Sequence, residues 1–320
     1  MFVVSSGRSG TTLLRGILNA TEQIYIPHES DFLARAYPFY QDKKELDEAD
    51  YPRILNLFAI ASQKNGWGMS KDYLFEYFKE KSPRTFSEVN NTIYTAYIQS
   101  EGLGDLSWGI KHPVLIASID KIFNVFPEAK IVHIVRDGRD VCLSYKKVHE
   151  RSPEKFGPNG TLTTALYWVD GLRRVKENKN SQLYELRYED ILDNPKEELR
   201  NLCDFLGLEF TEDMYEDYYK SSKNKDLLLS HHKEGIHSKI KEGIDAQNQK
   251  KFLTQMPVAS RFLFELLALP YLKKYDYFIE FPFLGNPILE IVRIPFYASA
   301  RLFNNWRYGK RDLTTFNRSL

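Results

Sequence analysis

The sequence contains only two cysteines, Cys142 and Cys203, among 320 residues. Their number and spacing fit neither a disulfide framework nor a structural metal site, which excludes the small domains that depend on either. The chain also lacks an uninterrupted apolar run of about 18 residues, the length needed to span a bilayer. It opens Met1-Phe2-Val3-Val4, without the basic segment and cleavage site of a secretory leader. These absences predict no membrane-spanning helix and favour a reducing, cytoplasmic location.

An excess of charge of either sign is missing too, since 44 Lys and Arg residues stand against 43 Asp and Glu residues. The composition therefore predicts no nucleic-acid partner, and any anion must be bound by a site that is built locally. Hydrophobic residues make up 42% of the chain and charged residues 27%. These values are typical of a folded domain with a sizeable core.

Short apolar segments alternate with helical patterns along most of the chain. Strands are predicted at residues 1–5, 23–26, 107–111, 130–136 and 183–188. This alternation predicts an α/β fold of three layers, a three-layer sandwich with a central parallel sheet. Residues 40–105 show three polar helical patterns and no strand pattern, which indicates a helical insertion beside the sheet. The main domain is predicted to span 1–280, and an apolar and basic extension follows at 281–320.

Residues 5–12, SSGRSGTT, lie between the first predicted strand and the first predicted helix, at 11–20. Gly7 and Gly10 permit backbone angles that other residues resist. From Ser9 through Thr11 to Thr12, consecutive N–H groups stand at a helix N-terminus, where the partial positive charge favours an anion. Arg8 and the two threonine hydroxyls add donors. The segment predicts a phosphate or sulfate site; the alternative is an ordinary Ser/Gly turn with a capping threonine.

The loop differs from the Walker A motif, which requires Gly-x-x-x-x-Gly-Lys followed by Ser or Thr. Here Gly7 and Gly10 are three residues apart, and no lysine precedes Thr11. An ATP or GTP hydrolase is therefore disfavoured. Two other hypotheses remain at this stage: a nucleotide-dependent kinase of a related fold, and a non-catalytic module that binds a nucleotide or docks on a membrane.

A second group of candidate residues follows the buried strand at 130–136. Arg136 ends this strand, and Ser144 lies in the helix that comes next, predicted at 139–149. Both side chains can face the carboxyl edge of the sheet, where open α/β folds bind ligands. An arginine fork and a hydroxyl at that edge suit a phosphate monoester. The alternative is a surface Arg136 paired with Asp140.

Three segments of the chain resemble the sulfotransferases that use 3′-phosphoadenosine 5′-phosphosulfate. Residues 2–18 look like their 5′-phosphosulfate loop, 136–144 like their 3′-phosphate motif, and 188–208 like their central segment. The resemblance implies a P-loop NTPase-like fold, this nucleotide as donor and adenosine 3′,5′-bisphosphate as product. No metal is expected, because no cluster of metal-ligating residues appears in the sequence and basic residues can take the place of a cation. The resemblance also implies that the loop amides bind the 5′-phosphosulfate, that Arg8 stabilises the bridging oxygen, and that Tyr188 lies near the adenine.

The catalytic base has two candidates. Residues 27–33, PHESDFL, resemble the segment that carries a glutamate base in the branch containing tyrosylprotein and bacterial sulfotransferases, which implies Glu29 as base. His28 departs from that pattern, because a proline or small residue is more usual there. The segment Lys111-His112-Pro113 is similar to the Lys-Thr-Pro or Lys-Asp-Pro of the same branch, which implies that Lys111 stabilises the transition state. His112 is the rival base, because cytosolic aryl sulfotransferases use a histidine soon after a lysine.

Two basic segments complete the sequence. The stretch 231–251, with His237, Lys239 and Lys241, corresponds in position to a family loop that closes over the nucleotide; a solvated basic loop is the alternative. Residues 285–306 mix apolar positions at three-to-four spacing with cationic flanks, and Pro295 is expected to kink any helix there. This segment predicts contact with a membrane surface, with the core, or with a second subunit of a homodimer. The acceptor stays open among a lipid, a glycan, a small molecule and a peptide tyrosine.

Overall fold

The computed structural model describes residues 1–62, 67–151, 156–216, 218–224 and 244–308. Within this part of the chain a four-stranded parallel sheet has the order β4-β1-β5-β6. Its strands are β1 (Phe2–Val4), β4 (Ile110–Lys111), β5 (Ile131–Val135) and β6 (Leu183–Arg187). A second parallel pair joins β2 (Ile24–Tyr25) to β3 (Ser107–Trp108).

Helices follow most of the strands. The described α-helices are α1 (Thr11–Ala20), α2 (Phe32–Tyr40), α3 (Tyr51–Ser62), α4 (Lys71–Lys81), α5 (Phe86–Ser100), α6 (Ile119–Val125), α7 (Gly138–Arg151), α8 (Thr161–Glu177), α9 (Tyr188–Asp193), α10 (Pro195–Leu206), α11 (Asp213–Glu216), α12 (Phe252–Gln255), α13 (Val258–Lys274) and α14 (Pro287–Tyr308). Short 3₁₀ turns lie at Pro113–Ser118, Tyr218–Lys220, Ser222–Asn224 and Pro282–Gly285. Helix α14 continues through Pro295, and none of the described helices is apolar over a length that would carry it across a bilayer.

The sheet is covered by helices on both faces because side chains alternate along each strand. On β1, Val3 packs into one buried cluster with α1, α9 and α10, whereas Phe2 and Val4 pack into another with α2 to α6. On β5, Val135 joins a third cluster with α7, α8 and α13. This arrangement confirms the predicted three-layer α/β fold.

The predicted strand at 107–111 is two strands in the structure, and Gly109 separates them. The Gly109 amide donates to the Tyr25 carbonyl at 3.0 Å, and the Ile110 amide donates to the Met1 carbonyl at 2.9 Å. The chain therefore changes partner from β2 to β1 within one residue. A Cβ at Gly109 would stand 2.9 Å from Ile26 Cγ1, so only glycine fits this crossing. The prediction of one strand was wrong because this change of partner depends on Tyr25 and Met1, which lie 84 and 109 positions before the residues that they pair with.

Parallel strands bring their carboxyl ends to one edge of the sheet. At this edge lie the loop that follows β1, Lys111 at the end of β4, the turn that begins with Arg136 after β5, and Tyr188, with which α9 begins after β6. The fold therefore collects the candidate phosphate-binding segments at one place.

His133, on the central strand β5, is fully buried, and neither ring nitrogen has a hydrogen-bond partner in the described part of the chain. Burial lowers its pKa from 6.5 to about 4. The unfolded chain therefore binds a proton at His133 between these two pH values, whereas the folded chain does not, so this residue makes stability rise with pH across that window.

Replacing His133 with leucine is expected to remove this contribution. Between about pH 7 and pH 4, the wild-type protein should lose on the order of 2–3 kcal/mol more of its free energy of unfolding than His133→Leu does. Urea unfolding of both proteins at several pH values measures the difference. Other titrating groups cancel in this comparison because both proteins carry them. Parallel pH curves for the two proteins would contradict the prediction.

Candidate active site

The loop after β1 is a tight turn whose backbone takes left-handed angles at three positions. The φ values are +72° at Gly7, +54° at Arg8 and +91° at Gly10. Neighbouring side chains also exclude a Cβ at both glycines: it would lie 2.1 Å from Tyr145 Oη at Gly7 and 2.3 Å from Tyr188 Cδ2 at Gly10. The two glycines thus serve both the turn and the close approach of these tyrosines.

Hydrogen bonds within the loop fix this turn. The Gly7 amide donates to Ser5 Oγ at 2.9 Å, and Ser9 Oγ donates to the Gly7 carbonyl at 2.9 Å. Helix α1 then begins at Thr11, with Gly10 at the N-cap position, so no side chain caps the helix. Its first-turn amides, including those of Thr11 and Thr12, lack partners within the helix. A bound anion would satisfy them, which fits a phosphate or sulfate cradle.

The two candidate phosphate-binding segments meet in space. Arg8 Nε donates to Ser144 Oγ at 3.0 Å, across 136 residues of sequence. Arg136 Nη1 donates to the Arg8 carbonyl at 3.3 Å. The loop after β1 and the strand-to-helix segment after β5 therefore form one continuous polar site, as the sequence predicts for a ligand with two anionic groups.

Arg136 and Tyr188 lie against each other at this site. The Arg136 guanidinium stands 4.5 Å from the centre of the Tyr188 ring, and its Nη2 donates to the Asn248 carbonyl at 2.8 Å. Asn248 Nδ2 donates to Tyr188 Oη at 2.8 Å. Arg136 is buried, and its Nε has no hydrogen-bond partner in the part of the chain that the structure describes. The arginine thus keeps a buried donor available for a ligand.

Asn248 belongs to the basic stretch 231–251 but was not predicted as a site residue. Lys251 Nζ donates to its Oδ1 at 2.6 Å. The only signal in the sequence is the polar run of Asn and Gln residues at 247–249, which does not distinguish a ligand loop from a solvated one. His237, Lys239 and Lys241, which the sequence places in a loop corresponding in position to one that closes over the nucleotide, lie outside the described residues.

The candidate base and its neighbours lie after β2 and at the end of β4. Lys111 Nζ donates a short, charge-assisted hydrogen bond to Glu29 Oε1. The Lys111 side chain is 5% exposed and that of Glu29 is 37% exposed, so the carboxylate reaches solvent and the ammonium does not. The site therefore presents an accessible carboxylate held by a buried cation.

His112 is anchored through its backbone. Its amide donates to the Val3 carbonyl at 3.2 Å, while its Nδ1 is enclosed without a hydrogen-bond partner among the described residues. Burial lowers the pKa of His112, and the negative charge of Glu29 opposes that shift. The ring is therefore held neutral near Glu29 and Lys111, so the structure brings together both candidates for the base.

Tyr145 was not predicted as a site residue, yet it supports the phosphate loop. Its buried hydroxyl donates to the Ser6 carbonyl at 3.2 Å, and burial raises the pKa of this phenol well above its usual range. Helix α8 approaches the same loop at Gly171, where a Cβ would lie 2.8 Å from Ser6 Oγ. In the sequence Tyr145 resembles an ordinary core residue of an amphipathic helix, so only the fold shows its position beneath the loop.

Two charged residues of the segment 136–144 serve the fold rather than the site. Arg139 is fully buried, donates through Nη2 to Asp137 Oδ2 and through Nη1 to Glu265 Oε1, both at 2.6 Å, and stacks on Phe252. The Asp137 amide donates to Glu189 Oε1 at 3.0 Å, and burial raises the pKa of the Glu189 carboxyl to about 7. This network fixes the turn after β5.

Comparisons with known proteins find relatives that are named as sulfotransferases. It is 25% identical over 248 residues to the omega-hydroxy-beta-dihydromenaquinone-9 sulfotransferase Stf3 of Mycobacterium bovis, covering 65% of this chain and 62% of that protein. It is 24% identical over 243 residues to protein-tyrosine sulfotransferase A of Caenorhabditis elegans, covering 72% of this chain and 55% of that protein. The chain thus spans little more than half the length of these relatives.

A solved structure shares the fold. The sulfotransferase domain of the Synechococcus PCC 7002 olefin synthase superposes with a TM-score of 0.53 at 22% identity, covering 87% of this chain and 94% of that one. Its likeness confirms the P-loop NTPase-like α/β fold. The model of the sulfotransferase family matches residues 1–212, which include the loop after β1, the segment after β5 and Tyr188. On this match across most of the core, the chain belongs to the sulfotransferase family.

Proposed function

We propose that the protein transfers a sulfuryl group from 3′-phosphoadenosine 5′-phosphosulfate to an acceptor hydroxyl or amine. The observation that carries this proposal is the hydrogen bond from Arg8 Nε to Ser144 Oγ, because it joins two anion-binding segments that are far apart in sequence. A nucleotide with anionic groups on both its 3′ and 5′ positions matches such a paired site. We place this activity in residues 1–280, with the helical insertion 40–105, and treat 281–320 as an extension.

In this proposal each phosphate group has its own ligands. The amides and hydroxyls from Gly7 to Thr12 bind the 5′-phosphosulfate, with donors that α1 leaves without a side-chain cap. Arg136 and Ser144 bind the 3′-phosphate, and the buried Arg136 Nε, which has no partner among the described residues, supports that role. Tyr188 lies beside the adenine, one face of its ring already covered by the Arg136 guanidinium.

Transfer needs an in-line attack of the acceptor oxygen or nitrogen on sulfur. Glu29 takes the acceptor proton, a bond forms from the acceptor atom to sulfur, and the bond from sulfur to the bridging oxygen breaks. Adenosine 3′,5′-bisphosphate leaves with that electron pair. Arg8 stabilises the charge on the bridging oxygen, and Lys111 stabilises the sulfuryl oxygens. Lys111 donates a hydrogen bond to Glu29, so the proton acceptor and one of the stabilising cations are in direct contact.

The proposal requires no metal, because Arg8 and Lys111 provide the positive charge that a cation would provide. We expect sulfuryl transfer from labelled donor to be unchanged by EDTA.

Phenols, long-chain primary alcohols and amines are suitable probe acceptors, since the relatives' names cover both a lipid and a protein tyrosine. The probe class that receives the sulfuryl group fastest identifies the acceptor class.

The first test is calorimetric titration with adenosine 3′,5′-bisphosphate. We expect one binding site and a preference of ~100-fold or more over adenosine 5′-monophosphate, because each charge-assisted hydrogen bond to the 3′-phosphate contributes ~1.5–3 kcal/mol. ATP is the matched control, since it carries more charge but no 3′-phosphate. Absence of binding, or tighter binding of ATP, would overturn the proposed donor.

A further inference from the structure

Helix α14 (Pro287–Tyr308) presents an apolar stripe to solvent. Ile291, Ile294 and Leu302 are 73%, 66% and 70% exposed, and Ala298 is exposed as well. Their spacing of three, four and four residues places them on one face of the helix. Ala300, on the opposite face, is buried. A surface helix normally turns its polar side chains outward. The exposed apolar face of α14 is therefore unfavourable in water and indicates an interaction surface.

The protein covers only the other face of α14. That face packs on α8 and α13, and Arg301 approaches Asp170 of α8 with Nη2 3.5 Å from Oδ1. Phe283, just before the helix, is 57% exposed as well. We call the surface formed by Ile291, Ile294, Ala298 and Leu302 the outer stripe.

The sequence that carries the outer stripe has a net positive charge. Between residues 285 and 320 there are six Lys and Arg against two Asp and Glu, whereas the rest of the chain has 38 against 41. The positive charge of a nearly neutral protein is thus concentrated in the segment that carries the exposed apolar face. An apolar face flanked by cations matches the interface of a bilayer that contains anionic lipids. The same charge disfavours pairing of this face with a second copy, since two cationic segments would then meet.

The outer stripe is close to the candidate active site. Asp170, which faces Arg301, is followed by Gly171, and Gly171 is the residue at which α8 approaches Ser6 of the phosphate loop. Helices α14 and α8 therefore lie between the outer stripe and the loop. A protein held by this stripe would keep its site within about two helix widths, on the order of 20 Å, of the surface it is held on.

We propose that the outer stripe docks on a membrane surface that contains anionic lipids, with its apolar side chains inserted at the acyl boundary. The net positive charge of the sequence from 285 onward attracts the protein to anionic headgroups. This inference concerns where the protein works and does not depend on sulfuryl transfer.

The test is sedimentation of the full chain with vesicles of phosphatidylcholine containing about one third phosphatidylglycerol, compared with phosphatidylcholine alone. We expect binding to the anionic vesicles that weakens at high salt, since a Debye length of ~3 Å at 1 M screens headgroup attraction. The double variant Ile291→Gln/Leu302→Gln should bind ~10-fold more weakly or not at all, because it removes apolar contact without changing charge. Ile60→Gln, at an exposed apolar position of α3 that is 60% exposed, is the matched control and should bind as the wild type does.

Titration with adenosine 3′,5′-bisphosphate checks that each variant is folded; the thermal unfolding midpoint serves the same purpose if the wild type does not bind that nucleotide. Failure of the wild type to bind anionic vesicles would overturn the inference, as would equal binding by the double variant. Light scattering gives the third decisive outcome: a dimer that forms in the wild type and is lost in the double variant, without vesicle binding, would assign the stripe to a second copy instead.

Discussion

Replacing Arg136 with alanine is expected to remove most of the protein's preference for adenosine 3′,5′-bisphosphate over adenosine 5′-monophosphate, a loss of ~100-fold. The reason is that two of the donors on a guanidinium can reach one phosphate, and each such bond contributes ~1.5–3 kcal/mol. Arg136 is buried at the carboxyl edge of the sheet, and its Nε has no partner among the described residues.

The ratio of the two affinities is the informative quantity, because Arg136 also donates to the Arg8 carbonyl at 3.3 Å. Losing that bond alone would disturb the 5′ loop and weaken both nucleotides alike. Arg136→Lys is the matched variant. It keeps the positive charge but loses the planar guanidinium that can donate two hydrogen bonds to one phosphate, so it should retain only part of the preference for adenosine 3′,5′-bisphosphate. An equal loss of affinity for both nucleotides would show that Arg136 supports the loop and does not bind the 3′-phosphate.

The elements that depend on local signals could be predicted from the sequence. Helix α1 begins and ends where its apolar stripe and the preceding glycine turn indicate. Helix α10 ends at Gly207, whose φ of +72° suits a helix C-terminus, and β5 is buried along its whole length, as its β-branched residues indicate. The placement of Arg136 and Ser144 at one edge followed from the rule that parallel strands share a carboxyl end.

What could not be predicted depends on contacts between distant parts of the chain. The change of strand partner at Gly109 requires β1 and β2 to be in place. Tyr145 and Asn248 contact the site only because α7 packs beneath the loop and the chain after 243 returns over Tyr188. Tyr188 itself was predicted as the end of a strand and is the first residue of α9. Each of these features is set by tertiary packing, which local patterns do not encode.

Glu29→Gln is expected to lower the rate of sulfuryl transfer by ~10²–10⁴-fold, the usual contribution of a general base. Affinity for adenosine 3′,5′-bisphosphate should change little, because glutamine keeps the shape of the side chain and can still accept the hydrogen bond from Lys111. The rate is measured with labelled donor and phenol, alcohol and amine probes. Hydrolysis of the donor, in which water is the acceptor, gives a rate that requires no probe.

His112→Gln is the decisive companion to that variant. His112 lies near Glu29, its Nδ1 is enclosed without a partner among the described residues, and burial lowers its pKa, so it holds a proton less well than a free imidazole. Glu29, at 37% exposure, is the group an acceptor can reach. His112→Gln should therefore keep most of the transfer rate. If it abolished transfer while Glu29→Gln did not, the histidine would be the base, and the buried Lys111 would then hold Glu29 only as a structural partner.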